Sequence, residues 1–401
     1  MNAKRPKFAV IIPDGAADEP LDELGGRTPL QAAEIPHLDR LARGGRAGLV
    51  RTIPEDAAQP GSDIAALSIL GYDPIRYYTG RAPLEAASLG VRLDAGDVAF
   101  RCNLVTVEDD TLADYSAGEI STDEARVLIQ LVNEKLGGSR IHFFPGVSYR
   151  HLMVWRDASD EVRTVPPHDF MDQPIEPNLP QGEGEKRLRQ LTWDSREILE
   201  EHEINRRRRD AGLAPANMIW LWGQGRDPNL PSFAVKYQVT GAVIGAVDLI
   251  RGIARCAGLA APQVAGATGN LQTDFAAKGR AAVEALEQYD FVLCHVEAPD
   301  EAAHHGEIEK KIWAIEQVDR HVVGPVLEAL QGRPDYRLLT LPDHPTPIAV
   351  RTHTRAPVPF VIFGSDISPR GADEFSEPAA AATGFVIDEG HRLMDEFLAP
   401  V

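Results

Sequence analysis

Four short segments of this sequence set an Asp, a His or a Ser just beyond an apolar run. Asp14 follows FAVII, and Asp300 and His304 follow FVLCHV within EAPDEAAHHG. Asp343 and His344 follow RLLTL, and Ser62 opens SDIAALSIL after the turn PGS. A further imidazole, His353, stands in RTHTRAP just before the apolar run VPFVIFG. Carboxylates mixed with imidazoles suit borderline divalent ions such as Mn, Zn or Co better than Ca. The i, i+4 spacing of Asp300 and His304 lets both reach one ion from a single helical turn. Asp343 and His344 are adjacent, so a loop could aim both at a metal where a regular strand could not. Two ions roughly 4 Å apart would clamp a phosphoryl group and stabilise both the attacking and the leaving oxygen. Ser62 then reads as a nucleophile, since a serine hydroxyl becomes competent once its proton is removed or a metal binds it. A helix start at Ser62 would also offer free N–H groups to phosphate oxygens. Each residue taken alone has a plainer reading. Ser62 serves as a helix cap, Asp14 as a turn residue, Asp343-His344 as a loop pair and His353 as a surface histidine. It is their joint occurrence at strand ends that points to a site.

The elements that must position them alternate. FAVII reads as a buried parallel strand ended by Pro13-Asp14-Gly15, and IPHLDRLARGG as a helix with Leu38 and Leu41 on one face. AGLV follows as a strand, and the helix beginning at Ser62 comes next. The same grammar returns late in the chain. DFVLCHV, YRLLTL and VPFVIFG read as strands, 307–331 and about 388–398 as helices, and VIGAVDLIRGIARCAG as a helix ending at Gly258. The fold class expected is α/β, a doubly wound, mainly parallel sheet, whose ligands bind beyond the carboxyl ends of the strands. Residues 85–210 differ, with Pro clusters and a charged stretch ending in RRRRDAG. They read as an inserted α+β domain dividing a first domain formed by 1–84 and 211–401.

Composition bounds the partners. With 41 Lys and Arg against 60 Asp and Glu, the net charge is −19. That disfavours nucleic acid or an anionic membrane, and an anionic substrate would need bound cations. Three cysteines without paired spacing suggest a reducing compartment, and the start MNAKRPKFAVIIPDG does not read as a signal peptide. A cytoplasmic protein of undetermined oligomeric state, acting on a small phosphorylated molecule, is the expectation.

These segments also resemble a known family. IIPDGAAD with RTPLQAAEIPHLDRLARGGRAG, QPGSDIAALSILGYDP, HVEAPDEAAHHG, and LPDHPTP followed by RTHTRAPVPF look like the cofactor-independent phosphoglycerate mutases of the alkaline phosphatase superfamily. PPHD, NRRRRDAGLAPAN and IWLWGQG look like the archaeal-type branch, so the resemblance covers nearly the whole chain. It implies that Asp14, Ser62, Asp343 and His344 surround one ion while Asp300, His304 and His353 hold the other. It implies that Ser62 carries phosphate between 3-phosphoglycerate and 2-phosphoglycerate with no bisphosphoglycerate. Two divalent ions are expected, manganese first, with magnesium, zinc and cobalt open. The inserted domain would act as a lid that holds the substrate carboxylate. Arg150, His168, Asp169, Asn205, Arg208 and Lys236 are the candidates, an Arg fork matching a carboxylate well. In DYSAGEIST the chain carries Glu119 where these relatives usually have a basic residue. The alternative is a metal-dependent phosphatase or phosphotransferase acting on another small hydroxy acid or amino alcohol.

Overall fold

A computed structural model describes residues 6–57 and 59–399. Strands β1 (Lys7–Pro13) and β2 (Arg46–Val50) come first. Next are β3 (Val98–Glu108), β4 (Thr111–Asp114), β5 (Ile141–Val147), β6 (Arg150–Trp155), β7 (Val162–Arg163), β8 (Gln181–Gly182) and β9 (Met218–Gly225). The last are β10 (Gly241–Ile244), β11 (Phe291–Val296), β12 (Tyr336–Thr340), β13 (Val358–Gly364) and β14 (Val386–Ile387). The chain forms two compact units, one of residues up to Tyr78 and from Asn229, the other of Thr79–Pro228.

The first unit is built on a seven-stranded sheet of order β10-β11-β1-β12-β13-β2-β14. Neighbours are parallel except where β13 meets β12 and β2. Side chains alternate between its faces. Ala9, Ile11, Val292 and Cys294 pack against Leu38, Leu41, Leu286, Ile315 and Leu327 on one side. On the other, Phe8 meets the ring of Phe397 and Phe291 that of Phe233. Helices therefore cover both faces, which is why the central strands are apolar throughout rather than alternating. Burying Ile11 and Ile12 completely contributes roughly 1.5–3 kcal/mol each.

Two sequence expectations change here. The run from Val243 is not helical at its start. Gly241–Ile244 is an edge strand in register with Phe291–Cys294, and the helix begins only at Asp248. The β-branched Val243 and Ile244 suit a strand, and Gly245, packed against Ile250, makes the turn between the two. The last helix is also shorter than 388–398, covering Leu393–Phe397 after a single 3-10 turn.

The second unit is an antiparallel sheet with β3 between β6 and β9. Helices Thr122–Leu136 and Glu185–Leu199 cover one face through Leu128, Ile129, Leu188 and Leu191, against Phe100, Cys102 and Met153. Helix Arg81–Leu89 covers part of the other through Ala82 and Ala86, on Ala99, Leu152 and Val154. That packing, and the pairing of β9 with β3 from Met218 to Trp222 and again at Gly225, explain why the unit extends beyond the 85–210 read from composition.

Candidate active site

Three adjacent parallel strands deliver the expected acids from one edge of the sheet. Asp14 follows β1, Asp300 follows β11 on helix Ala298–His304, and Asp343 follows β12. Because β13 runs antiparallel to β12, His353 before it lies at that same edge. Asp300 Oδ2 is 3.1 Å from His304 Nε2, and Asp300 Oδ1 is 3.5 Å from His353 Nε2. The two imidazole Nε2 atoms are 3.0 Å apart. His344 Nε2 lies 3.5 Å from Asp14 Oδ1, 3.4 Å from Asp343 Oδ2 and 3.1 Å from the Ser62 hydroxyl. The structure thus brings together all seven residues expected at the metal site.

Local chemistry explains these placements. Ser62 is the first residue of helix Ser62–Ile69, with Gly61 in the cap position, so its hydroxyl makes no capping bond. Gly15 has a φ of 62°, and a Cβ there would stand 2.5 Å from Asp300 Oδ1, so only glycine lets β1 turn past that acid. The fully buried Lys311 donates to Asp18 Oδ2 at 2.7 Å and to the carbonyls of Ala17 and Thr346, tying the loop after β1 to the loop after β12. The Thr346 hydroxyl donates to Asp300 Oδ1 at 2.6 Å.

The charges do not balance without a cation. Burial pushes the Asp14 carboxyl well above its usual range, and the Asp343 and Asp300 carboxylates push it further. Burial acts on Asp343 in the same direction, but the His344 and His295 imidazoles outweigh it and hold that carboxyl below its usual range. Backbone hydrogen bonds agree with this split. Asp343 Oδ1 accepts N–H from Gly15 at 3.1 Å and from His344 at 3.0 Å, whereas the buried Asp14 Oδ1 accepts none. Asp343 Oδ2 also lacks a hydrogen-bond partner. Acceptors buried without donors are costly, and a divalent ion would satisfy them. Metal-type groups occur as Asp300–His304–His353, Asp14–Asp300–His344 and Asp14–His295–Asp343, so the donor set fits divalent ions.

The substrate candidates fare differently. Arg150 and His168 belong to a cationic patch in the second unit. There the guanidinium of Arg101 lies 4.0 Å from the ring centre of Trp222 and 3.0 Å from Glu85, and His168 packs edge-on against Trp222 and Tyr115. Arg150 stacks over Tyr149. Partial burial lowers the His168 pKa; Asp169 opposes this, and Arg101 and Arg81 add to the lowering. Asp169 is exposed, 3.7 Å from His168 Nε2. Asn205 and Arg208 are corrections. Asn205 is fully buried, spending its amide on Leu199 and Ala216, and Arg208 is spent on Glu124, Ala117 and Ala214. Both hold the helix Glu203–Asp210 in place: Asn205 has both amide hydrogens committed, and each nitrogen of the buried Arg208 guanidinium is already bonded within the protein. Lys236 is a third correction, bonded to the Gly71 carbonyl. Gly71 lies just past the C-terminal end of helix Ser62–Ile69, whose eight residues span about 12 Å at 1.5 Å per residue and separate it from Ser62.

Sequence reasoning missed Arg101 and His295. A signal for Arg101 was present: it is a charged residue in the otherwise apolar first half of β3, Val98–Cys102. Among the described residues no helix is long and apolar enough to cross a membrane.

Comparison with known proteins now bears on this geometry. A family model for 2,3-bisphosphoglycerate-independent phosphoglycerate mutase matches residues 42–205. A Geobacter sulfurreducens protein named as a probable enzyme of that description is 51% identical over 98% of this chain and 99% of its own. A Methanothrix thermoacetophila protein of the same name is 50% identical over 98% of this chain and all of its own. A solved structure from Pyrococcus horikoshii superposes with a TM-score of 0.82 at 30% identity, covering 99% of this chain and 97% of its own. Similarity of that extent over both units settles the family, and the chain belongs to the 2,3-bisphosphoglycerate-independent phosphoglycerate mutases.

Proposed function

We propose that the chain interconverts 3-phosphoglycerate and 2-phosphoglycerate without a bisphosphoglycerate cofactor, through a phosphoserine on Ser62. The observation that carries the reading is the Ser62 hydroxyl, 3.1 Å from His344 Nε2 beside the buried carboxylates of Asp14 and Asp343, each with one oxygen that has no hydrogen-bond partner. Asp14, Ser62, Asp343 and His344 would hold one divalent ion, and Asp300, His304 and His353 the other. Such ions lower the pKa of a bound hydroxyl and neutralise charge developing on phosphoryl oxygens. Ser62 Oγ gives up its proton as it bonds to phosphorus, the bond from phosphorus to the substrate's O3 breaks, and the departing oxygen takes up a proton in exchange, leaving glycerate. The 2-hydroxyl of the resulting glycerate then attacks the phosphoserine and frees Ser62. The N-terminal end of its helix, where the helix dipole is positive, favours the phosphate oxygens during both transfers. Arg101, Arg150 and His168 form a patch within the second unit whose chemistry suits a carboxylate, since guanidinium forks bind carboxylates bidentately.

The test is conversion of 3-phosphoglycerate to 2-phosphoglycerate, coupled to enolase, by chelated protein resupplied with manganese or cobalt. Conversion restored by metal, with almost no free phosphate, is expected. Free phosphate as the main product would make the protein a phosphatase instead. Glu119 bears on affinity. It is exposed on a left-handed turn at φ 49°, and its charge reaches the Tyr149 phenol over which Arg150 stacks. Glu119→Lys should lower KM for phosphoglycerate about two- to tenfold at low salt, with kcat unchanged and the gain shrinking as salt screens it. A KM that ignores the substitution would mean Glu119 lies outside the substrate's field.

A further inference from the structure

The expected ligand set leaves one buried histidine unexplained. β11 reads Phe-Val-Leu-Cys-His-Val and is buried along its whole length, and His295 is its polar member. Neither ring nitrogen of His295 has a hydrogen-bond partner. Its Nε2 lies 3.6 Å from Asp14 Oδ2 and 3.6 Å from Asp343 Oδ2. A hydrogen-bonded N–H···O pair would close to about 2.9 Å. Donor atoms sharing one five-coordinate ion with bonds of about 2.1 Å stand about 3.0–3.6 Å apart. The His295 distances match co-ligands better than bonded neighbours, and they nearly repeat those from His344 Nε2 to the same two carboxylates, 3.5 and 3.4 Å.

The other side of the ring is consistent. In each expected ligand histidine Nε2 faces the site and Nδ1 is held from behind. The partner is the Arg351 carbonyl for His304, the Pro60 carbonyl for His353 and the Thr346 hydroxyl for His344. Behind His295 stands Glu297, whose Oε1 lies 3.5 Å from Nδ1. Glu297 accepts N–H from Ala246 and Val247 and is paired with the fully buried Lys278, which also donates to the His295 carbonyl. A carboxylate behind a histidine, itself fixed by other groups, is how metal-binding imidazoles are commonly oriented.

We propose that His295 is a fourth histidine ligand, presenting Nε2 to the ion held by Asp14 and Asp343, with Glu297 and Lys278 as positioning residues. The inference rests on the two-ion reading above. It is tested first on the intact protein loaded with manganese, by pulsed electron paramagnetic resonance with and without 15N-histidine, counting directly coordinated imidazoles. Four over the two ions support the proposal, and three overturn it. A second arm is His295→Ala, titrated with metal against a chelator and compared with the intact protein by the visible spectrum of its cobalt form. One ion should lose at least about a hundredfold in affinity while the other is retained, with a changed cobalt spectrum. Two ions bound as tightly as before, with an unchanged spectrum, would overturn the assignment. A variant that fails to fold leaves the imidazole count to decide. Failure of the intact protein to bind two ions would instead sink the two-ion reading itself, so the two failures are distinguishable.

Discussion

Ser62→Ala is expected to lower kcat by about 10⁴–10⁶-fold, the usual scale for loss of a nucleophile that acts with its neighbours as a unit. The fold should be unaffected. Ser62 occupies the first helical turn with Gly61 as the cap residue, and its side chain makes no capping bond. The hydroxyl's one bond to the site is to His344, which keeps Thr346 on its other nitrogen and Asp14 and Asp343 nearby. Metal content should therefore stay near that of the parent, with one ion bound more weakly. Steady-state rates, elemental analysis and a search for phosphoserine in acid-quenched samples check this together. An active variant would remove Ser62 from the chemistry, and one that loses metal along with activity would make it chiefly a ligand.

The second prediction concerns Asp14 and has opposite signs in two states. In metal-loaded protein, Asp14→Asn should weaken metal binding and lower activity by several orders of magnitude, because a charged ligand shared by two of the metal-type groups is lost. In chelated protein the same change should stabilise the fold. Burial, with Asp343 and Asp300 adding to it, raises the Asp14 pKa above the unfolded value of about 3.9. A carboxyl whose folded pKa is raised contributes its stability below the unfolded pKa and loses it as pH rises through the folded pKa. Chelated parent protein should thus lose a few kcal/mol between about pH 4 and neutrality, the order expected for a buried charge without a partner. The asparagine variant should show a flatter profile and a higher Tm at pH 7. Thermal melts across that range, with and without chelator, decide it. A variant less stable than the parent in chelator would mean that Asp14 is already well compensated.

How much of this was legible beforehand depended on what each residue needed from its neighbours. Asp14, Asp300, Asp343 and His344 stand where an apolar run stops, and a strand that ends at a sheet edge leaves its next residues at the ligand-binding crevice. Those signals are local, so the sequence by itself determined the α/β class, the serine at a helix start and the six carboxylates and imidazoles expected beside it. The i, i+4 pair Asp300–His304 sits on one helical turn for the same reason.

What depended on long-range packing was not local. Asn205 and Arg208 look like ligand groups in a basic run, but what they bond to is decided by residues up to 91 positions away, such as the Ala117 carbonyl. Lys236 is drawn to a carbonyl 165 residues away. Arg101 faces the cationic patch because Trp222 and Glu85 come to lie beside it. His295 sits inside a strand that reads as plain core, and only the parallel register of β1 with β11, Ile12 beside His295, brings its ring to Asp14. Strand ends and helix starts are written in neighbouring residues, whereas the partner of a buried polar group is chosen by whichever elements the sheet order sets side by side.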